Sequence, residues 1–324
     1  MTDPAAKIEL HVHLEGTIRA GTLLDIARRN DLPLPADTVD GLRSLYEFTD
    51  FKHFIDTWIL TTNCLRTADD FRQVVVDYAA EAASHGAVYI EGIFSPVERV
   101  ARGVRWEDLF HGYADGAVEA FERYGVTIRF TPDIYREGPI DLSEEAARMC
   151  VRFADRGVVG FGIGGYEPGH PIAPYVKAFD IARDGDLELV PHAGEAAGPD
   201  SIREALALGP RRIRHGIRAA DDPVLLAEIV ERGIVLDVAP VSNLRTAVVA
   251  TIDEHPLPRL RAAGAICSIS TDDPAMFDTD LAKDYAVAAS LGVTAADAFA
   301  AGLAGMLADE STRARIAALA PRAV

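Results

Sequence analysis

The chain is poor in positive charge, and this shortage excludes two classes of partner. Its 324 residues carry 32 Lys and Arg against 50 Asp and Glu, which gives a net charge of −18 and an isoelectric point near 4.9. Nucleic acids and anionic membrane surfaces are bound by clustered basic side chains, so neither is expected here. A small-molecule partner is expected instead, and no feature of the sequence indicates an oligomeric state.

Cysteine and long apolar runs are also scarce. The three cysteines, Cys64, Cys150 and Cys267, are widely spaced and odd in number, which excludes a disulfide framework and a zinc site built from cysteines. No apolar run reaches membrane-spanning length, and the N-terminus lacks a basic segment followed by an apolar one. We therefore expect a cytoplasmic protein that is neither exported nor embedded in a membrane.

Eight short β-branched runs end in turn-forming residues. They lie at 8–14, 87–94, 126–134, 158–165, 187–194, 212–217, 233–240 and 265–273. Amphipathic stretches with helical spacing separate them, and several end on Gly, as a helix C-terminus often does. Strands alternating with helices predict a parallel sheet, and eight such units predict a (β/α)8 TIM barrel.

Two regions depart from the simple repeat. Residues 18 to about 80 are too long for one crossover and are predicted to form extra helices over the barrel mouth. The segment from about 294 onward is predicted to form closing helices. No stretch is rich enough in Pro, Gly or Ser to act as a linker, so a single domain spanning 1–324 is expected.

The stretch "KIELHVHLEGT" at 7–17 places two histidines two positions apart in a strand. Residues i and i+2 lie on one face of a strand, so His11 and His13 would project together. Imidazole is the commonest metal ligand, but two histidines could equally be a hydrogen-bonded pair in the core. The rest of the chain has to supply further ligands.

Polar residues recur where the predicted strands end, which is where TIM-barrel active sites lie. They are His11, His13, Glu91, Asp133, Gly164, Gly165, His192, Glu195, His215, Asn243, Asp272 and Asp273. Three imidazoles and one carboxylate suit zinc, and such a metal lowers the pKa of bound water toward about 7. We predict one Zn²⁺ per chain, held by His11, His13, His192 and Asp272, and a hydrolytic reaction.

Two further residues are candidates for catalysis. Glu195 lies three positions after His192, beyond the end of the strand, so it could act as a general acid or base without binding the metal. The alternative is a solvated Glu at the start of the next helix. His215 could hold the attacking hydroxide by a hydrogen bond. His255, followed by Pro256, is predicted to lie near a helix start, and its contact with the site is left open.

The motifs "HVHLEG", "HAGE", "RIRHGI", "PVSN" and "STDDPAMF" occur in that order along nearly the whole chain. Together they resemble the adenosine deaminase family of the amidohydrolase superfamily. The resemblance implies one zinc, held by His11, His13, His192 and Asp272, and hydrolytic deamination at purine C6.

The same resemblance implies a role for each remaining site residue. Glu195 donates a proton to purine N1, while His215 and Asp272 orient the hydroxide that attacks C6, and ammonia leaves. Asp273 is implied to accept a hydrogen bond from the purine at N7, and the backbone at Gly165 to meet N3.

The chain departs from the adenosine deaminases at Glu15, where they carry an Asp that contacts the ribose 5′-hydroxyl. Together with "YIEGIFSPVERV" on the second strand, this departure is most similar to the aminodeoxyfutalosine deaminases of menaquinone synthesis. Their substrate is an adenine nucleoside whose 5′ end carries a chain with a benzoate, which Arg99, Arg102 or Arg136 could bind. Adenosine or adenine remains the alternative substrate.

The sequence disfavours three rival functions. A two-metal amidohydrolase would carry a carboxylated Lys at the end of the fourth strand, and "VVGFGIGGYE" contains none. The zinc site of cytidine deaminases needs a Cys pair, which the chain lacks. A barrel that only binds nucleosides would be expected to lack a ligand or the acid, whereas this chain retains both.

Overall fold

The computed structural model describes residues 4–321, and its strands lie at the eight predicted positions. The strand segments are β1 (Lys7–His13), β2 (Ala87–Ile93), β3 (Thr127–Phe130), β4 (Asp133–Tyr135), β5 (Gly160–Gly164), β6 (Glu188–Leu189), β7 (His192–Ala193), β8 (Arg212–His215), β9 (Val235–Val238) and β10 (Ile266–Ile269). All their pairings are parallel. The TIM barrel is confirmed. The predicted domain 1–324 includes 1–3 and 322–324, which lie outside the described residues.

Two of the eight strands are interrupted. Pro132 lies between β3 and β4, and Pro191 lies between β6 and β7. Proline has no backbone N–H and therefore cannot donate to a sheet ladder. Both prolines still accept through their carbonyl oxygens, Pro132 from Gly162 at 2.9 Å and Pro191 from Arg214 at 3.0 Å. The barrel therefore continues past each interruption.

The barrel closes between its last and first strands, at the rim that carries the histidines. The backbone N–H of Asp272 donates to the carbonyl oxygen of His11 at 3.1 Å, and that of His13 donates to the carbonyl oxygen of Asp272 at 2.8 Å. The residues predicted as ligands from opposite ends of the chain are thus adjacent because the sheet closes on itself.

Fifteen α-helices surround the barrel within residues 4–321. They are α1 (Ala20–Arg29), α2 (Val39–Ser44), α3 (Phe51–Thr62), α4 (Ala68–Ser84), α5 (Pro96–Val100), α6 (Trp106–Tyr124), α7 (Ile140–Arg152), α8 (Val176–Asp184), α9 (Pro199–Ala207), α10 (Pro223–Glu231), α11 (Pro240–Arg245), α12 (Leu257–Ala262), α13 (Leu281–Ser290), α14 (Ala295–Gly305) and α15 (Glu310–Ala317). The predicted extra helices between the first two strands and the closing helices at the C-terminal end are both confirmed.

Helix α3 covers the barrel mouth, as predicted. Its Phe51, Phe54 and Trp58 are buried and pack in one apolar cluster with Met276 and Phe277, which follow the last strand. Asp50 caps the helix by accepting from the backbone N–H of His53 at 2.8 Å. The helix is thus fixed at its start by a cap and along one face by burial.

Strand β5 reads Gly-Phe-Gly-Ile-Gly because its inward positions have no room for side chains. A Cβ on Gly162 would lie 2.3 Å from Oδ1 of Asp133 and 2.5 Å from Nη1 of Arg214. Those two side chains form an ion pair across the barrel, and Arg214 also donates to Thr131 Oγ1 at 2.7 Å. The glycine leaves the space that this buried pair occupies.

No single helix in the described part of the chain is both long and apolar enough to cross a membrane. Helices α13 and α14 reach that length and apolarity only as a pair, with a bend of 114° between them. Helix α14 packs against β1 and β10.

Candidate metal centre and catalytic cavity

Four predicted ligand side chains converge on one point at the barrel rim. Nε2 of His192 lies 3.1 Å from Nε2 of His11 and 3.2 Å from Nε2 of His13. Oδ1 of Asp272 lies 3.2 Å from Nε2 of His11 and 3.3 Å from Nε2 of His13. All four side chains are buried or nearly so.

The ring orientations show which nitrogens face each other. Nδ1 of His192 lies 3.1 Å from the carbonyl oxygen of Ile163 and 3.0 Å from Oδ2 of Asp133, so it carries the hydrogen. Nδ1 of His11 lies 3.4 Å from the carbonyl oxygen of Asp237. In the neutral rings both Nε2 atoms therefore present lone pairs to each other. Two lone pairs repel at 3.1 Å unless a cation lies between them.

The spacing and the protonation states both fit zinc. A tetrahedron with ligand distances of about 2.0 Å has edges of about 3.3 Å, and four of its six edges here measure 3.1–3.3 Å. Burial lowers the pKa of His13 to about 3 and that of His192 well below its usual range, so both rings are neutral as ligation requires.

Two site residues have backbones in the left-handed region. Asp272 has φ of 67° and His215 has φ of 60°. Such conformations are uncommon outside glycine and persist only where the surroundings impose them. For Asp272, the closing hydrogen bonds of the barrel and the Ser242 hydroxyl, which donates to Oδ2 at 2.6 Å, supply that constraint.

Glu195 is buried next to this cluster and is held by Glu167. The Glu167 carboxylate accepts from the backbone N–H groups of Gly194, Glu195 and Ala196 at 2.8, 2.8 and 3.0 Å, and from the Ser201 hydroxyl at 2.5 Å. Burial, followed by the charges of nearby carboxylates, raises the pKa of Glu195 well above its ordinary value. A carboxyl group in this setting keeps its proton to a higher pH than an exposed one, and it can donate that proton to a bound group.

His215 lies between the acid and the metal cluster. Its Nε2 lies 3.5 Å from Oε2 of Glu195 and 3.8 Å from Oδ2 of Asp272, and burial lowers its pKa to about 3. A neutral imidazole at this point can make one hydrogen bond to a group bound between the acid and the cluster.

A cavity of about 830 Å³, including its open mouth, leads to these side chains. At its floor lie His13, His192, Glu195, His215, Asp272 and Asp273, with the backbone of Gly164 and Gly165 at one side. Toward the mouth the wall is mainly apolar and aromatic, made by Phe51, Phe54, Ile55, Trp58 and Ile59 of α3 together with Ile134, Tyr135 and Tyr166. A mainly apolar cavity with a few convergent polar groups is typical of a small-molecule site.

Asp273 is positioned by Trp58 of helix α3 and by the space that Gly16 leaves. Nε1 of Trp58 donates to Oδ1 of Asp273 at 2.8 Å. A Cβ on Gly16 would lie 1.8 Å from that same oxygen, so the glycine of "HLEG" leaves the space for it. Burial and the charge of Asp272 raise the pKa of Asp273 well above its ordinary value.

Two predicted positions are not part of this cavity. Glu15 is buried and does not line it, because Oε1 accepts from the backbone N–H of Ser95 at 2.9 Å and faces Arg99 at 3.9 Å. Glu91 lies deeper in the barrel, where it pairs with Arg212 at 2.7 Å. The substrate contact that the family resemblance implies at position 15 stays a prediction.

Of the three arginines considered for a carboxylate, only Arg136 lines the cavity. Arg99 is buried and donates to Asn63 at 2.6 Å and Thr62 at 2.9 Å, which ties α5 to the end of α3. Arg102 is exposed, and its guanidinium donates to the carbonyl oxygen of Glu98 at 3.1 Å.

Three residues that hold site side chains in place were not predicted from the sequence. Glu167 follows β5 by three positions, so its place after a strand end was a usable signal. Ser242 lies in the quoted "PVSN" motif, next to Asn243. Trp58 lies on an inserted helix, and nothing in its local sequence indicates that it reaches a residue 215 positions away.

Comparison with known proteins agrees with the geometry. The family model described as adenosine deaminase matches residues 6–315. The aminodeoxyfutalosine deaminase of Acidothermus cellulolyticus is 55% identical over 96% of this chain and 89% of its own, and an adenine deaminase of Streptomyces coelicolor is 33% identical over 90% and 86%.

Solved structures extend this likeness to the fold. The adenine deaminase of Arthrobacter aurescens superposes with a TM-score of 0.92 at 28% identity, over 98% of both chains. An amidohydrolase from Burkholderia ambifaria, crystallised with bound Zn, gives 0.88 at 26% identity over 97% of this chain and 89% of that one.

Proposed function

The chain belongs to the adenosine deaminase family, and we propose that it hydrolyses the 6-amino group of 6-aminodeoxyfutalosine to a 6-oxo group, releasing ammonia, in menaquinone synthesis. The 55% identity to an aminodeoxyfutalosine deaminase over 96% of the chain carries this choice of substrate. The aromatic wall along α3 supports it, since a nucleoside extended at its 5′ end needs apolar surface beyond the reacting ring.

We propose that one Zn²⁺ is held by His11, His13, His192 and Asp272, whose donor atoms and spacing fit that ion. Bound there, it supplies a Lewis acid that lowers the pKa of water toward about 7. Asp133 supports this set from behind by facing Nδ1 of His192 at 3.0 Å. Such an outer contact fixes the ring orientation of a ligand histidine.

The protein's own groups move the protons of the reaction. Glu195, protonated in its buried setting, gives its proton to purine N1, which makes C6 more electrophilic. The oxygen of water attacks C6 while Asp272 takes one of its protons, and His215 donates a hydrogen bond to that oxygen. The hydroxyl proton of the tetrahedral intermediate then restores Glu195, and the amino group leaves as ammonia with the proton held by Asp272.

Asp273 and Gly165 are proposed to orient the purine. N7 of a neutral adenine carries a lone pair and no hydrogen, so Asp273 has to donate to it, in the reverse direction to the bond that the family resemblance implied. The raised pKa of Asp273 is consistent with a protonated carboxyl. Gly165, with φ of 89°, presents backbone at the cavity wall, where N3 of the purine is proposed to lie.

Gly16→Ala is expected to lower kcat/KM by about 10- to 100-fold with the metal retained. The added methyl group overlaps the Asp273 carboxyl, and a displacement of about 1 Å in a positioning group can cost this much. Steady-state kinetics and metal analysis check it. Gly21→Ala is the matched control, because a Cβ at Gly21 meets nothing within 4 Å. Equal kinetics in both variants would exclude this role for Gly16.

We propose that Arg136 binds the substrate carboxylate. Among the described residues that line the cavity, it is the one Lys or Arg. Its guanidinium already donates to the carbonyl oxygens of His170 and His192, both at 3.0 Å, so it is fixed in place. Glu15 is proposed to shape the wall through Ser95 and Arg99 without touching the substrate.

We expect Arg136→Gln to raise KM for aminodeoxyfutalosine by about 10-fold or more, since a charge-assisted hydrogen bond is worth about 1.5–3 kcal/mol. Methylthioadenosine has no carboxylate and serves as the control substrate, whose KM should change much less. Equal losses for both substrates would mean that Arg136 only supports the cavity.

The function is tested by ammonia release from the zinc-loaded protein with aminodeoxyfutalosine, 5′-deoxyadenosine, methylthioadenosine, adenosine and adenine. We expect kcat/KM to be highest for aminodeoxyfutalosine. A large preference for adenine or adenosine would assign the chain to purine salvage instead. The 33% identity to an adenine deaminase makes adenine the second candidate substrate.

A further inference from the structure

We propose that His255, which does not line the cavity, determines the direction of the hydrogen bond that His215 offers to the attacking oxygen, acting through Asn243. His255 is therefore a positioning residue for the reaction. The inference rests on the proposed function for the identity of the attacking group. The hydrogen-bond chain itself rests on the contacts of four buried residues.

The chain of hydrogen bonds begins at a backbone donor that cannot reverse. The N–H of Leu257, in the first turn of α12, donates to Nδ1 of His255 at 3.1 Å. A ring nitrogen that accepts a hydrogen bond carries no hydrogen, so the hydrogen of this neutral ring is on Nε2. That atom lies 3.3 Å from Oδ1 of Asn243 and donates to it.

The orientation of the Asn243 amide follows from this first step. With its oxygen accepting from His255, its NH₂ group faces Nδ1 of His215 at 3.3 Å and donates to it. Nδ1 of His215 is then an acceptor, and the hydrogen of that ring is on Nε2. Nε2 is the atom that faces Glu195 and Asp272.

A backbone N–H can only donate a hydrogen bond. The N–H of Leu257 therefore fixes the tautomer of His255, then the orientation of the Asn243 amide, and then the tautomer of His215. The consequence is chemical. His215 can donate to the attacking oxygen, and it cannot take a proton from water at Nε2, which already carries one. Removal of that proton is left to Asp272.

Burial protects these hydrogen bonds from exchange with water. His255 and Asn243 are 3% and 0% exposed, so bulk water does not compete for their hydrogen bonds. Asn243 is also fixed by its backbone, since its N–H donates to the carbonyl oxygen of Ala239 at 3.0 Å and its carbonyl oxygen accepts from Val249 at 2.9 Å. Ser242, the preceding residue on α11, aligns Asp272 in the same way.

Three variants test the proposal. Asn243→Asp presents only acceptors to His215 and should move the ring hydrogen to Nδ1. We expect kcat to fall by roughly 10²-fold or more, since a wrong histidine tautomer is severe in other hydrolases. His255→Ala removes the anchor and should lower kcat by about 10-fold. His255→Gln can still accept from Leu257 and donate to Asn243, so it should keep kcat within about 3-fold.

The decisive readout is the nitrogen-15 spectrum of the histidine rings in the zinc-loaded protein without substrate, which reports which nitrogen of His215 carries the hydrogen. We expect Nε2–H in the unsubstituted protein and in His255→Gln, and Nδ1–H in Asn243→Asp. Nδ1–H in the unsubstituted protein, or equal losses of kcat in His255→Ala and His255→Gln, would overturn the proposal. Failure of the proposed function would appear separately, as absent ammonia release with an unchanged spectrum.

Discussion

Replacing Glu195 by Gln is expected to lower kcat by about 10²- to 10⁴-fold, the usual contribution of a general acid or base. The Gln amide fills nearly the same space and can still donate a hydrogen bond to purine N1, but it cannot transfer a proton. KM should therefore change little. The metal content should be unchanged, since Glu195 contributes no atom to the four-ligand cluster.

Kinetics and metal analysis on one preparation test this expectation. Glu144→Gln is the control, because Glu144 pairs with Lys177 and Arg148 on the outside of the barrel. That variant should keep full activity and metal content. If Glu195→Gln lost its metal, or kept its rate, the role of proton donor would be wrong.

Replacing Asp272 by Ala is expected to remove both the metal and the activity. Asp272 supplies one of the four converging donor atoms. Removing a residue that only supports a metal ligand lowers metal affinity by roughly 10- to 100-fold, and removing Asp272 should lower it further. A bound metal stabilises the folded state by about 2.7 kcal/mol when present at 100 times its Kd. The rise in melting temperature on adding zinc should therefore disappear in this variant.

Two further variants separate the loss of the ligand charge from backbone strain as the cause of metal loss in Asp272→Ala. Ala is strained at a φ of 67°, whereas Asn tolerates that conformation, so Asp272→Asn removes the charge with less backbone cost. Ser242→Ala removes only the hydroxyl that donates to Oδ2, and should weaken zinc binding by about 10- to 100-fold. An Asp272→Asn protein with full zinc and full rate would overturn the ligand assignment.

Much of the fold could be predicted from the sequence because its signals are local. Short runs rich in apolar and β-branched residues favour buried parallel strands, and all eight runs identified in the sequence contain strands. The exceptions are also local, since Pro132 and Pro191 interrupt two of them by lacking an N–H. The period-two spacing of His11 and His13 placed both imidazoles on one face, and the barrel topology brought their strand beside that of Asp272.

The sequence could not assign the residues that support the site, because their partners are distant along the chain. Glu167 binds a loop almost 30 residues away, and Trp58 reaches Asp273 from an inserted helix. The surroundings of Glu15 were equally hidden from the sequence, because its carboxylate accepts from the backbone of Ser95 and faces Arg99.

The sequence by itself determined the barrel and the polar side chains that stand at its strand ends, since residue type and strand spacing fix both. Only the tertiary structure decided how those side chains are oriented and charged. Burial sets their protonation, and the closing hydrogen bonds of the barrel hold Asp272 in a left-handed conformation that few residues other than glycine adopt. The direction of the His215 hydrogen bond is likewise set by Leu257, whose backbone N–H comes near only after the chain has folded.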